Sequence, residues 1–337
     1  KKLGLRVTLA QQSAREIART GRTFQQVVDS ATLSAYHAGL RAPWSADGDH
    51  LKTDAHLQEA VAAGCTHFTY DVSDELATGI GTVIDRVVDL FRKTEQLKRG
   101  TGFTTEVSMD ETPDTTRLDD VVELVDATRA RGVRIAEIAP RFPGYFEKAI
   151  DYYRNKEFGK IDRDTTDFEA YLQQVASLAT QHGFRVSVHS GSDKFTIYPI
   201  LSRVLGGNYR LKTAGTYYVE ELRLVSRHDP DLFRAVYDFS LQQFEKDRAT
   251  YELGTDTGAI PELQGLDGEE LHALLRSGTG SDDLRQVVHV AYGSVLTATD
   301  TGGSSRFARR IEKLLAQHEA EFEQQLEEHL RRHVASF

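Results

Sequence analysis

The polar residues with the clearest chemical potential follow two short apolar runs, at residues 184–188 and 209–211. The first run ends in His-Ser-Gly-Ser-Asp-Lys and the second in Lys-Thr-Ala-Gly-Thr. A helical segment, predicted to begin at Asp193 and to end at Gly206-Gly207, separates them, which indicates a parallel strand–helix–strand unit. Because function gathers at the carboxyl ends of such strands, we expect a polyhydroxylated, anionic ligand there. The candidate residues are His189, Ser190, Ser192, Asp193, Lys194, Lys212 and Thr213.

A second polar group, Asp49-His50 followed by Lys52, ends another candidate strand. Neighbouring side chains on a strand point to opposite faces, so one of the pair would bind a metal while the other meets the substrate. The alternative is that Asp49 caps a helix and His50 is exposed. His189 has two interpretations as well, either a metal ligand or acid–base group, or a histidine bonded to a loop carbonyl.

Glu106, Ser108 and Asp110 alternate along a third candidate strand and therefore share one face. If that face is interior, Glu106 is a buried carboxylate that needs a metal, a lysine or a proton. Its alternative is a salt-bridged structural role, with Asp110 in a capping loop. Arg141, Lys194 and Lys212 are counter-charges for a carboxylate or phosphate, or else ordinary ion-pair partners.

The remaining histidines receive structural interpretations. His289 lies on an apolar run and is predicted to be a core residue, while His318, His329 and His333 are predicted to be solvated on the last helix. Residue types and spacing thus indicate a metal-assisted enzyme acting on a small polar substrate.

A strand, a short polar segment, a helix and a glycine recur in this order along the chain as far as residue 216. This pattern is typical of an α/β fold with a parallel sheet. About seven strands are visible, and a (β/α)8 TIM-type barrel with additional C-terminal helices accounts for them best. We expect a catalytic barrel domain at residues 1–300 and a helical extension at residues 301–337. Residues 285–292 fit either a helix or the last strand.

Composition limits the class of protein. The chain has 337 residues, a formal net charge of −10 and one cysteine. The acidic balance argues against nucleic-acid binding, and no apolar run is long enough for a membrane span. The single cysteine excludes an internal disulfide and fits a cytoplasmic protein. Homo-oligomerisation stays open, because the last helix could pack on its own barrel or on a neighbour's.

Six strings resemble the tagaturonate/fructuronate epimerase family: ADGDHLKT, EVSMDET, APRFPG, HSGSDKFTIYP, KTAGT and HVAYGSVLT. The resemblance implies an enzyme without an organic cofactor that uses a divalent cation (Zn, Mn, Co, Ni or Fe) to invert C4 of a 2-keto hexuronate. It implies Asp49 as proton acceptor and His50 and His189 as metal ligands. It also implies a histidine shortly before KTAGT, where this chain has Arg210, so a third ligand is missing or supplied elsewhere.

A C4 proton β to a ketone is not acidic, so a retro-aldol route is expected, with Asp49 as base and Glu106 or Glu147 as acid. Lys194, Lys212 and Arg141 would anchor the carboxylate. Two other functions remain: a ketose 4-epimerase or sugar aldolase acting on a neutral sugar, and a non-catalytic sugar-acid-binding protein.

Overall fold

The computed structural model describes residues 5–157, 160–251 and 253–336. They form two compact units whose segments alternate along the chain. Unit 1 comprises Lys1–Pro143, Thr166–His189 and Arg203–Leu211, and unit 2 comprises Gly144–Thr165, Ser190–Ser202 and Lys212–Phe337. The domain limits at residues 1, 300 and 337 stay a prediction, and residues 1–4 and 337 lie outside the described ranges.

Unit 1 is built on a parallel sheet in the order β1-β2-β3-β4-β5-β8-β9. Its strands are β1 (Val7–Ser13), β2 (Trp44–Leu51), β3 (His67–Asp71), β4 (Thr104–Met109), β5 (Glu137–Pro140), β8 (Arg185–Val188) and β9 (Tyr209–Leu211). The sheet curls enough to bring its first and last strands together: Arg210 on the last strand donates a hydrogen bond to the Thr8 hydroxyl on the first at 2.8 Å. The predicted parallel α/β architecture is confirmed. In the described ranges it is a curled half-barrel of seven strands, not the eight expected.

Helices cover the connections of this sheet: α1 (Ala14–Thr20), α2 (Phe24–His37), α3 (Asp54–Ala62), α4 (Ser73–Leu76), α5 (Ile80–Lys98), α6 (Leu118–Ala130) and α7 (Thr166–His182). Local sequence explains their starts. Thr23 and Gln26 form a reciprocal capping box at α2, and Thr53 caps α3. The amphipathic α5 buries Val83, Val87 and Leu90, as its spacing predicts.

Unit 2 contains the antiparallel strands β6 (Asn155–Glu157) and β7 (Lys160–Asp162), paired with each other. Its helices are α9 (Tyr217–His228), α10 (Pro230–Asp247), α11 (Gly268–Leu274), α12 (Asp282–Val290), α13 (Tyr292–Thr297), α14 (Ala308–Gln317) and α15 (Glu319–Val334). Leu222, Phe233, Leu284, Val288 and Ile311 belong to its core. The ambiguous residues 285–292 are thus helical, because the Ser281 hydroxyl caps α12.

The helix expected to begin at Asp193 begins later, as α8 (Tyr198–Leu205), which starts in unit 2 and ends in unit 1. Asp193 has φ +60°, a left-handed conformation that a right-handed helix cannot contain. Its carboxylate pairs with buried Arg285 instead of capping a helix. The prediction that the helix begins at Asp193 was therefore wrong. None of the helices in the described ranges combines the length and the apolar character that a membrane span requires.

Candidate metal centre and surrounding residues

Three strands of unit 1 bring metal-binding side chains to the carboxyl edge of the sheet. His50 lies near the end of β2, Asp110 directly follows β4, and His189 directly follows β8. One ligand atom from each residue lies within 4.8 Å of those from the other two. His189 Nδ1 is 3.1 Å and His50 Nε2 is 4.0 Å from Asp110 Oδ1. Two imidazoles and a carboxylate suit a divalent first-row transition metal, so the donor set fits the expected cation.

Asp110 was not among the predicted ligands, although its alternation with Glu106 and Ser108 carried the signal. Both Ser108 and Glu106 are buried, and the Ser108 hydroxyl donates to Asp110 Oδ1 at 2.5 Å. Burial opposes the charge of the Asp110 carboxyl, but His189, His50 and the Ser108 hydroxyl outweigh it and hold its pKa well below the ordinary value. An ionised carboxylate is the form that binds metals.

The backbone at His50 departs from a regular strand, with φ +53°. Register between β2 and β3 also shifts between Gly48 and Leu51. The His50 side chain therefore turns toward Asp49, whose Oδ1 is 2.9 Å from His50 Nδ1. The expectation that the two side chains point to opposite faces was wrong, because strand alternation stops at this residue.

Asp49 is nearly inaccessible to solvent and also accepts a hydrogen bond from Gln11 Nε2 at 2.6 Å. The hydrogen bond between Asp49 and His50 Nδ1 leaves His50 Nε2 facing Asp110 and His189. Burial disfavours the protonated His50 ring, yet the Asp49 carboxylate overcomes it and raises the His50 pKa. Asp49 therefore orients His50, in the manner of a carboxylate behind a metal-binding histidine.

Glu106 has the same relation to His189. It is fully buried, and its Oε1 is hydrogen-bonded to His189 Nε2. Nδ1 of His189 consequently faces Asp110. Thr69 donates to the same Glu106 oxygen at 3.4 Å. The buried carboxylate predicted to need a metal, a lysine or a proton is instead hydrogen-bonded to a histidine.

Below this edge, Arg210 crosses the inside of the curled sheet. Its guanidinium lies 3.3 Å from Asp47 and from Glu137, and 3.9 Å from Glu106. These carboxylates raise the Arg210 pKa even though burial opposes its charge. Arg210, which stands where the resemblance implies a histidine, thus forms part of an ion-pair network. Asp110 is the third candidate ligand at the edge.

The rim of unit 1 contains further charges. Lys52 is half-exposed and lies 3.1 Å from Asp74, 3.6 Å from Asp71 and 4.0 Å from Glu111. The Asp71 carboxylate accepts a hydrogen bond from the Ser73 amide at 3.1 Å. Arg141 is half-buried, and its amide donates to the Thr116 hydroxyl at 2.8 Å.

A cavity of about 940 Å³ opens at the opposite, amino-terminal ends of the strands. Thr104, Ala136, Arg185 and Asn208, which start or precede four strands, line it. None of the candidate ligands lines this cavity, so it is distinct from the candidate metal centre.

Several predicted site residues lie in unit 2. Glu147 is buried, and its Oε1 accepts from the Tyr153 hydroxyl and from the Gly254 amide at 2.8 Å. Its Oε2 accepts from Gln286 at 2.7 Å. These bonds favour a structural role for Glu147, and its role as a catalytic acid stays a prediction.

Lys194 is fully buried. Its Nζ donates to the carbonyls of Glu147, Ile150 and Ser192 at 2.8, 2.6 and 3.1 Å. Burial lowers the pKa of this amine to about 8. The three carbonyls use all three ammonium hydrogens, so the geometry favours a clamp between loop segments. A role in anchoring the substrate carboxylate stays a prediction.

The other polar residues of HSGSDK are also engaged. The Ser192 hydroxyl accepts from the Gly215 amide at 3.1 Å, and the Ser190 hydroxyl accepts from Lys148 at 2.9 Å. Sequence reasoning missed Lys148, which carries no motif signal. Lys212 and Thr213, which follow β9, are half-buried.

The predicted solvent exposure of His329 and His333 was wrong, because both are at least 97% buried. His333 Nε2 accepts from the Asp193 amide at 3.0 Å and its Nδ1 donates to the His329 carbonyl. His329 contacts the Thr216 hydroxyl at 3.1 Å. Burial lowers the pKa of each ring to about 4. His289 is buried in unit 2, as expected for a core residue.

These contacts belong to a polar ladder on α15, formed by every fourth residue: Glu321, Gln325, His329 and His333. Gln325 donates to the Glu220 carbonyl on α9 at 2.7 Å, and Glu321 pairs with Arg227 and His228 at the end of α9. A four-residue spacing places side chains on one helix face, so the ladder docks α15 by hydrogen bonds and ion pairs.

Comparison with known proteins identifies the family of this chain. A family model described as tagaturonate epimerase matches residues 1–99 and 81–337. The tagaturonate/fructuronate epimerase of Thermotoga maritima is 32% identical over 380 aligned residues, covering 98% of this chain and 75% of the relative. A glycerol-complexed fructuronate-tagaturonate epimerase from Cohnella laeviribosi superposes with a TM-score of 0.89 at 29% identity, covering 98% of this chain and 76% of the other. The native crystal structure of the Cohnella protein gives a TM-score of 0.85 with the same identity and coverage. The chain therefore belongs to the tagaturonate epimerase family, whose members are isomerases acting on carbohydrates.

Proposed function

We propose that this chain is a divalent-metal-dependent epimerase that inverts C4 of a 2-keto hexuronate and so interconverts D-tagaturonate and D-fructuronate. The observation that supports it is the meeting of His50, Asp110 and His189 at the carboxyl edge of the sheet in a member of this family. Two imidazoles and a carboxylate would hold Zn, Mn, Co, Ni or Fe. The cation, when bound, supplies a Lewis acid for oxygens of the substrate.

The chemistry proposed is a retro-aldol step followed by its reverse. Asp49 accepts the proton of the C4 hydroxyl, the C3–C4 bond breaks, and its electron pair passes to the fragment that carries the ketone. The C4 aldehyde turns its other face toward C3, the bond re-forms, and the proton returns from Asp49 to O4. No oxidant or organic cofactor is required, because the substrate regains its oxidation state.

The two orienting carboxylates have unequal tasks in this proposal. Asp49 contacts His50 and is the base, whereas Glu106 is bonded to His189 and is assigned to orienting that ring. Glu147 remains the candidate acid. Lys52, Arg141, Lys194, Lys212 and the polar residues Ser190, Ser192, Asp193 and Thr213 remain candidates for binding a small sugar acid or ketose. A homo-oligomer also stays a prediction, which light scattering would test.

Turnover of D-fructuronate by metal-stripped protein, with and without each cation, tests the function. We expect D-tagaturonate to appear only when a cation is added, and His189→Ala to lose most of this activity. Absence of product with every cation would refute the proposal and favour a sugar-acid-binding protein. Equal turnover of the neutral ketose, or release of two trioses, would instead support the ketose 4-epimerase or the aldolase.

Glu106→Gln separates orientation of the metal ligand from catalysis. Loss of a carboxylate behind a metal-binding histidine costs about 10–100-fold in metal affinity, which a Co²⁺ titration followed by its visible spectrum would measure. Asp49→Asn also removes a negative charge beside a ligand, but we expect its loss in kcat to exceed its loss in affinity. An unchanged Co²⁺ affinity in Glu106→Gln would contradict the orienting role.

A further inference from the structure

A second group of metal-binding side chains lies in unit 2, at the end of α9 and at the junction of α14 and α15. It consists of His228, His318 and Glu321, whose ligand atoms all lie within 4.8 Å of one another. His228 is the last residue of α9, and His318 separates α14 from α15. The three side chains are 25–35% exposed, so an ion from solution would reach them.

The two imidazole rings are stacked face to face. Their centroids are 3.6 Å apart and their planes differ by 18°. Imidazole nitrogens are common ligands of zinc-type ions. Neutral imidazoles are the form that binds metals.

Glu321 supplies the third ligand with a defined orientation. Its Oε1 accepts from Arg227 at 2.8 Å, while its Oε2 faces both rings, 2.8 Å from His228 Nε2 and 3.9 Å from His318 Nδ1. Ligands about 2.0–2.1 Å from a tetrahedral zinc ion are about 3.3 Å apart. The two observed separations bracket this value. Because stacked rings direct their in-plane lone pairs nearly parallel to each other, one ring must rotate out of the stack for both rings and the carboxylate oxygen to bind a common ion.

We propose that His228, His318 and Glu321 bind a divalent transition-metal ion of the zinc type, at a site separate from the candidate metal centre of unit 1. Arg227 holds the carboxylate from behind and is a positioning residue, not a ligand. Three protein ligands leave a fourth position for water.

The consequence concerns the attachment of α15. Glu321 is the first residue of the polar ladder that continues through Gln325, His329 and His333. An ion shared by α9 and the start of α15 would tie the two helices at this end of the ladder. Because such an ion binds only the folded arrangement of these helices, it would raise the unfolding temperature of the protein.

The test is Zn²⁺ stoichiometry and affinity of the metal-stripped full chain, measured by equilibrium dialysis and calorimetry. We expect two ions per chain for the wild type, one for His318→Ala and one for His189→Ala, and none for the double variant. Glu321→Gln and His228→Ala should weaken the same class of site by more than about tenfold. His37→Ala, which removes an exposed histidine that belongs to neither group, should bind like the wild type.

The outcomes separate this inference from the proposed function. If His189→Ala binds no zinc while His318→Ala binds one, the unit 2 site is refuted and the centre of unit 1 stands. If His318→Ala binds none and His189→Ala binds one, the inference stands and the proposed centre is refuted. In a His189→Ala background, which removes the proposed centre of unit 1, a zinc-dependent rise in unfolding temperature that is unchanged by His318→Ala, Glu321→Gln and His228→Ala would also overturn the inference.

Discussion

The ion pair between Arg285 and Asp193 should be among the most costly single interactions to remove. Both side chains are fully buried, and Arg285 Nη2 lies 2.6 Å from Asp193 Oδ2. Arg285 also donates to the Ala149 carbonyl at 2.9 Å and to the Leu275 carbonyl. Removing one partner of a buried pair costs about 3–5 kcal/mol, because the other charge is left without compensation. We therefore expect Arg285→Met to lower the free energy of unfolding by about 4 kcal/mol.

Urea unfolding followed by circular dichroism would measure this loss, with Arg310→Met as the matched control. Arg310 forms an ion pair of similar length, 2.9 Å, with Asp229, but its side chain is 58% exposed. An exposed pair contributes about 0–1 kcal/mol. The double variant with Asp193→Asn should lose much less than the sum of the two single variants, since it leaves no unpaired charge. A loss in Arg285→Met no larger than in the control would refute the reasoning.

Three further predictions concern unit 2. Burial lowers the pKa values of His329 and His333 to about 4 in the folded protein, whereas histidines in the unfolded chain titrate near about 6.5. As pH falls below about 6.5, the unfolded chain binds protons that the folded protein does not. The free energy of unfolding should therefore be highest above about pH 6.5 and fall between about 6.5 and 4. Thermal unfolding at a series of pH values would show this, and a slope unchanged in the His329→Gln/His333→Gln variant would contradict it. Lys194→Met should lower the free energy of unfolding by at least about 2 kcal/mol in the same urea assay, because it strips the donor from three buried carbonyls; a loss below 0.5 kcal/mol would count against the clamp. Gly144→Ala should be strongly destabilising in thermal unfolding, because φ is +84° and an added Cβ would clash with the buried Tyr152 side chain; a wild-type melting temperature would disprove that clash.

Local sequence signals were enough to predict most of the sheet and many helix boundaries. Thr23 and Thr53 mark helix starts by a hydrogen bond made within their own segment, so no tertiary knowledge was needed. The positions of His50 and His189 at strand ends could be predicted, because His189 begins the polar segment after an apolar run and His50 belongs to a polar segment that ends a candidate strand. Period-two spacing also placed Asp110 on the face of Glu106, although its proximity to His50 and His189 depends on the neighbouring strands.

Predictions were wrong where tertiary partners override the local pattern. The local pattern predicts a helix that begins at Asp193, but Asp193 adopts φ +60° and pairs with Arg285, which is 92 residues away in sequence. His329 and His333 lie in a strongly charged helix, but their contacts with Thr216 and Asp193, more than 100 residues earlier in sequence, accompany their burial. The conformation of His50 likewise accompanies a register shift between β2 and β3 that the residue types do not indicate.

The polar ladder of α15 has a consequence for how uniquely this helix is seated. An apolar stripe gains similar energy from several rotations and translations of a helix, since the hydrophobic effect is not directional. Hydrogen bonds lose strength steeply with angle, so Gln325 on the Glu220 carbonyl and His333 on the Asp193 amide accept one setting only. Sliding α15 by one turn would set each side chain against the wrong partner. The ladder thus fixes the rotation and the axial position of the C-terminal helix. Its main contribution is to make the other positions of this helix unfavourable.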